Sequence, residues 1–144
     1  MSVSEKIMGR ITPQRILVAD TNPIFRGALA EWLGAQGHEV ITAETGEKAF
    51  LILRDWKHPI DWLYARASLP LLIDGWILAD EYHDTHRDRA VILSSDEDRV
   101  SSRGNLILKQ PTPSRVYETV CRAIDPSGGM DCVAPQPATA QRAA

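Results

Sequence analysis

Residues 15–25 read RILVADTNPIF and contain a change from a buried strand to a helix. The apolar run before Asp20 is typical of a short strand that is covered on both faces. Asn22 can cap a helix with its side chain, and Pro23 suits the first helical position. Apolar residues then recur at helical spacing, at Ile24, Phe25, Ala28, Leu29, Trp32 and Leu33. This segment therefore predicts a strand followed directly by an amphipathic helix.

The same strand–helix unit recurs along the chain. Further strands are predicted at residues 38–43, 60–65, 90–93 and 105–108. Helices are predicted to begin after Thr45, at Asp74-Gly75 and at Thr112-Pro113, where capping residues precede apolar residues at helical spacing. Strands that alternate with helices predict an α/β fold, a doubly wound, five-stranded parallel sheet of the flavodoxin-like type. Folds of this kind bind ligands at the carboxyl ends of their strands.

Length and composition indicate one domain with a flexible segment at each terminus. The 144 residues suit a single domain, and the patterned part extends over residues 14–125. We expect residues 1–13 to form a flexible N-terminus. Residues 126–144 contain almost no large apolar side chain, and we expect a disordered tail there because such a segment cannot bury enough surface to offset its ordering entropy.

Several classes of function are disfavoured by the charge and hydropathy patterns. The formal net charge is -3, and no basic stripe of the kind that nucleic-acid binders carry is visible. No apolar run approaches the roughly 18 residues that span a bilayer, and the first residues do not form a signal peptide. We therefore expect a cytoplasmic protein without nucleic-acid or membrane partners.

The order of the units and their polar strand ends resemble the receiver domain of bacterial two-component response regulators, the CheY-like superfamily, over about residues 14–125. In that family an acidic pair after strand one holds a magnesium ion, and an aspartate at the end of strand three accepts phosphate. In this sequence Asp20 keeps one acid, Thr21 stands beside it, and Arg66 falls at the acceptor position. The resemblance therefore implies a pseudo-receiver that lacks the phosphoacceptor aspartate.

Two further family positions are matched by residue type. Ser94 corresponds to the hydroxyl residue after strand four, and Lys109 corresponds to the lysine after strand five, with Gln110 inserted before the proline. Asp74 is the alternative phosphoacceptor if strand three is aligned differently. Asp74-Gly75 fits better as the turn that opens the third helix.

The substitutions change the chemistry that the strand ends can perform. An arginine cannot be a phosphate-accepting nucleophile, because its guanidinium stays protonated and has no acceptor atoms. A site with one negative charge, Asp20, and two positive charges, Arg66 and Lys109, would repel a divalent cation. We therefore expect no metal and no cofactor. Instead, Arg66 is expected to form a two-pronged ion pair with Asp20, while Lys109 approaches from strand five.

The segment between strands four and five also departs from the family. Val100 is the one apolar residue between Ser94 and Asn105, so an amphipathic fourth helix would have no face to bury. We expect that helix to be short or absent. Leu106 stands where the family often has a switching aromatic residue.

These features favour a stand-alone, atypical receiver that acts in two-component signalling as a phosphorylation-independent protein-binding module. The expected partner is a histidine kinase or another regulator, and the chain could also form a homodimer. Two alternatives remain: a true phosphorelay receiver phosphorylated on Asp74, and a sensor of a small anion or ligand at the carboxyl edge of the sheet. We do not expect an enzyme, because the sequence shows no nucleophile–base pair and no glycine-rich phosphate loop.

Overall fold

The structure is a computed structural model that describes residues 12–96 and 105–126. Strands and helices alternate through these residues: β1 Arg15–Ala19, α1 Pro23–Ala35, β2 Glu39–Ala43, α2 Gly46–Leu53, β3 Trp62–Arg66, α3 Gly75–Thr85, β4 Ile92–Ser95, β5 Leu106–Lys109 and α4 Pro113–Ile124. The expected short or absent helix between β4 and β5 falls on residues 97–104, outside the described ranges. The predicted flexible N-terminus and disordered tail also lie mostly outside them.

The five strands form one parallel sheet in the order β2-β1-β3-β4-β5. The predicted α/β, flavodoxin-like sheet is therefore confirmed. The strand order reverses at β1, and the strands at such a point leave a crevice beyond their carboxyl ends. None of the helices in the described residues has the length and apolar character needed to cross a membrane.

Both faces of the sheet are covered, because successive side chains of a strand point to opposite sides. Ile16 and Val18 of β1 pack in a cluster with Leu29 of α1 and Val116 of α4. The alternate residues of β1 pack in a second cluster with residues of α2 and α3, among them Leu17, Ala19, Ala49, Leu78, Ala79 and Tyr82. This two-sided burial explains why the strand sequences are continuously apolar.

Side-chain caps begin the helices where the sequence predicted them. The Asn22 side chain accepts a hydrogen bond from the backbone N–H of Ile24, and Pro23 occupies the first turn. The Asp74 side chain accepts from the backbone N–H of Ile77 at 2.9 Å. Asp74-Gly75 therefore opens α3, as expected. Asn22 and Asp74 both lie in connections that leave the carboxyl ends of strands, β1 and β3.

Candidate functional site

The carboxyl edge of the sheet brings three of the predicted site residues together. Asp20 directly follows β1, Arg66 is the last residue of β3, and Ser94 lies in β4 opposite Arg66 in the strand register. Thr21 is exposed beyond Asp20. Lys109 ends β5, is exposed, and pairs in register with Ser95 of β4. Since β3 and β4 separate β5 from β1, Lys109 belongs to the far side of this edge.

A chain of buried hydrogen bonds connects Asp20 to Ser94 through Tyr64. The Tyr64 hydroxyl donates to Oδ2 of Asp20 at 2.8 Å and lies 2.9 Å from Oγ of Ser94. Because a tyrosine has one hydroxyl proton and Asp20 receives it, the Ser94 hydroxyl is the donor in the second bond. The other oxygen of Asp20, Oδ1, accepts from the backbone N–H of Asn22 at 2.9 Å. Both oxygens of this buried carboxylate are thus hydrogen-bonded.

Tyr64 was missed as a site residue from the sequence. It lies in the middle of β3 and is buried, with its ring in the cluster on the α1 and α4 side. Burial raises the pKa of the Tyr64 hydroxyl, and the negative charge of Asp20 raises it further, so the hydroxyl remains protonated and a donor. A buried tyrosine hydroxyl needs a polar partner, and a tyrosine within a predicted buried strand was the sequence signal that could have identified this site residue.

The expected two-pronged pair between Arg66 and Asp20 is wrong in its geometry. One guanidinium nitrogen, Nη1, lies 4.0 Å from Oδ1 of Asp20, which is too long for a hydrogen bond. The Arg66 side chain is 37% exposed, whereas Asp20 is buried. The carboxylate oxygens are already occupied by Tyr64 and Asn22, and the guanidinium turns outward instead.

Arg66 and Ser94 line an open cavity of about 530 Å³ above the strand ends. Its lining residues come from the ends of β3 and β4, the segments that follow β3, β4 and β5, and the first turns of α1 and α3: Phe25, Arg66, Ala67, Ser68, Leu69, Asp74, Trp76, Ser94, Ser95, Asp96, Gln110 and Pro111. Serine hydroxyls, one guanidinium and two carboxylates provide polar groups, and two aromatic side chains provide apolar walls. Such a mixed cavity at the switch point of a parallel sheet is a common ligand-binding location.

The alternative acceptor, Asp74, lines the same cavity but is held by its capping bond to Ile77. The loop that precedes it is tightly packed against its surroundings. A Cβ atom added at Gly75 would lie 2.3 Å from the carbonyl oxygen of Arg66. The Glu47 carboxylate accepts hydrogen bonds from the backbone N–H groups of Leu72 and Ile73. The loop between β3 and α3 is thus held on both sides.

The residues that the resemblance assigns to magnesium do not fit the ion. Magnesium favours carboxylate oxygens and water in an octahedral shell. Both oxygens of Asp20 are engaged, Thr21 is neutral, and Arg66 places a positive charge 4.0 Å from Oδ1 of Asp20. Within residues 12–96 and 105–126, no group of three or more His, Cys, Asp or Glu side chains could hold a metal ion.

Comparison with known proteins supports the fold. No protein-family model matches the sequence, and no curated protein matches it. Among solved structures, a response regulator receiver protein from Sinorhizobium medicae is similar, with a TM-score of 0.65 and 21% identity over 82% of this chain and 98% of that chain. The receiver domain of the hybrid histidine kinase CckA has a TM-score of 0.63 and 27% identity, over 77% of this chain and 99% of that one.

A CheY-like receiver domain from Methanospirillum hungatei is similar in structure at lower identity. Its TM-score is 0.66 and its identity 15%, over 80% of this chain and 96% of that chain. The likeness extends over nearly the whole of each compared domain. The chain therefore has the receiver fold.

Proposed function

We propose that this chain is a receiver-type module of two-component signalling that binds a protein partner without being phosphorylated. The partner class is a histidine kinase or another regulator. The observation that carries the proposal is the position of Arg66, which ends β3 beside Ser94, where the resemblance to receivers calls for the phosphate-accepting aspartate.

Arginine at this position removes the nucleophile. Phosphoryl transfer to a side chain needs a nucleophilic atom with a free lone pair, and the protonated Arg66 guanidinium has none to offer. The transferred group also needs a cation to offset its charge. Asp20 is fully buried and Arg66 lies near it, so a divalent cation would have to enter a buried site and approach a positive charge.

A second candidate function is phosphorylation on Asp74. It is favoured by one observation, namely that Asp74 lines the same cavity as Arg66 and Ser94. Against it stands the position of Asp74, which caps α3 instead of ending β3, the strand that ends at Arg66.

Intact-mass analysis after incubation with acetyl phosphate and magnesium tests the proposal. We expect no phosphoryl adduct on the native chain. The Asp74→Asn variant is the matched control, because asparagine keeps a capping oxygen but cannot accept phosphate. An adduct on the native chain that disappears in Asp74→Asn would establish the second candidate and overturn the first. Once a partner kinase is identified, its affinity should be unchanged by acetyl phosphate.

A further inference from the structure

The guanidinium of Arg66 has unused hydrogen-bonding capacity. It makes no hydrogen bond to another residue of the described ranges, and its nearest anionic oxygen, on Asp20, is 4.0 Å away. A guanidinium presents five N–H donors in a planar fork that matches a carboxylate or a phosphate. Because Arg66 lines the cavity, these donors face a space that an external acceptor can enter.

The guanidinium fork can take either of two acceptors. A carboxylate and a phosphate can each form both of its hydrogen bonds. Asp74 and Asp96 line the cavity together with Arg66, and their repulsion and the attraction of Arg66 both scale with the charge of the bound anion. The choice between the two acceptors therefore depends on the apolar surroundings of the cavity.

The surroundings of the cavity suit a protein segment better than a free small acid. Phe25 and Trp76 contribute aromatic walls. Large apolar side chains also stand exposed next to lining residues: Ile24 is 73% exposed and precedes Phe25, while Leu71 and Leu72 are 73% and 87% exposed and follow Leu69 in the loop. We call Ile24, Leu71 and Leu72 the cavity rim. Exposed apolar side chains beside a cavity are typical of a protein-binding surface.

The loop part of the cavity rim is held in place before any partner arrives. The Glu47 carboxylate accepts from the backbone N–H groups of Leu72 at 2.9 Å and Ile73 at 3.1 Å. Leu71 has a φ of 69°, which a leucine adopts only when its surroundings impose it. A rim that is already ordered loses little conformational freedom on binding, which favours affinity.

We propose that this cavity is the docking site for an acidic side chain of the partner protein, which pairs with Arg66 while neighbouring apolar side chains of the partner pack on the cavity rim. The inference rests on the proposed protein-binding function and names the chemistry of the segment that is bound. The complementary charge of the Arg66 fork and the apolar rim together define that segment as an acidic residue flanked by apolar ones.

A titration followed by ¹H–¹⁵N NMR of the full chain tests the inference. The probes are the capped tripeptides acetyl-Leu-Glu-Leu-amide and acetyl-Leu-Gln-Leu-amide, and inorganic phosphate. We expect saturable shifts of the Trp76 indole N–H and the Ser94 amide with the glutamate peptide, and binding weaker by about tenfold for the glutamine peptide. Equal affinity for the two peptides would overturn the inference, and tighter binding of phosphate would assign the cavity to a free anion instead.

Variants separate the role of Arg66 from general effects of charge. Arg66→Gln should reduce the affinity for the glutamate peptide to that of the glutamine peptide, and Arg66→Lys should give an intermediate value. Arg54→Gln is the matched control, because Arg54 is about half-exposed on the α2 side and pairs with Glu81. Unchanged binding in a folded Arg66→Gln variant would contradict the inference. The peptide titration and the acetyl phosphate experiment are independent measurements. Failure of the docking inference would not change the acetyl phosphate result, so the two proposals can fail separately.

Discussion

The Tyr64 hydroxyl donates a 2.8 Å hydrogen bond to Oδ2 of Asp20, and both residues are fully buried. The neighbouring Ser94 hydroxyl then donates to the Tyr64 oxygen, so each of the two hydroxyls uses its single proton in one hydrogen bond. A buried carboxylate without partners is costly, and here a phenol satisfies it from within the sheet. At the carboxyl edge of the sheet, a neutral donor therefore satisfies the Asp20 carboxylate, and the positively charged Arg66 lines the cavity.

Replacing Tyr64 with phenylalanine should destabilise the chain by about 1–3 kcal/mol, because Oδ2 of Asp20 loses its donor inside the protein. Denaturant unfolding of the two proteins measures the difference. Tyr117→Phe is the matched control, because the Tyr117 hydroxyl is bonded to a neutral amide, that of Gln36, at a part-buried position. If Tyr64→Phe lowered the free energy of unfolding by less than Tyr117→Phe does, the hydrogen bond to Asp20 would not have the stabilising role described.

Arg66→Ala should cost less than about 1 kcal/mol, because the guanidinium is 37% exposed and its nearest carboxylate oxygen is 4.0 Å away. Asp20→Ala should cost more, since it leaves the Tyr64 hydroxyl and the Asn22 N–H without their acceptor. Unfolding free energies of both variants and of the double variant give the coupling between the residues. A coupling above about 2 kcal/mol would indicate a close ion pair and contradict the geometry.

The fold could be predicted from the sequence because its signals are local. The apolar run Ile16–Ala19 and the caps at Asn22 and Asp74 each depend on a few neighbouring residues. The meeting of Asp20, Arg66 and Ser94 followed from topology alone, because the carboxyl ends of parallel strands share one edge.

The partners within the site could not be predicted in the same way. Which donor reaches Asp20 depends on side-chain length and rotamer: the phenol of Tyr64 extends along the sheet to the carboxylate, and Arg66 then has no free oxygen close to it. Charge alone suggested the Arg66–Asp20 pair, but sequence patterns carry no information on such distances. The hydrogen bonds by which Glu47 holds the loop could not be predicted from the sequence either, because they join residues 25 positions apart through backbone donors.

Gly46→Ala should destabilise the chain by about 1–3 kcal/mol and disturb the loop that forms part of the cavity rim. A Cβ atom at residue 46 would lie 1.8 Å from the backbone oxygen of Ile73, so the backbone itself must shift. The matched control is Gly27→Ala within α1, where nothing lies within 4 Å. Gly27→Ala should be neutral or stabilise by up to about 1 kcal/mol. Equal unfolding free energies for the two variants would show that the loop is not packed against α2 as described.

The stability of the chain should fall as the pH is lowered from about 7 to about 5, in part through His38. Its Nδ1 accepts the backbone N–H of Gln14 at 3.0 Å, and its Nε2 is buried without a partner among the described residues. Burial lowers the pKa of His38 below its ordinary value of 6.5. The unfolded chain therefore binds this proton at a higher pH than the folded chain does, and between the two pKa values protons favour unfolding.

His38→Asn separates this contribution from the others, because asparagine offers an acceptor oxygen for Gln14 and does not titrate. His86, whose pKa burial also lowers, is present in both proteins and cancels from their difference. Unfolding free energies measured across this pH range should show a shallower slope for His38→Asn. Parallel curves would mean that the folded chain binds the His38 proton as readily as the unfolded one. We expect a difference in slope because protonation of Nδ1 would remove the acceptor of the Gln14 N–H in the folded chain.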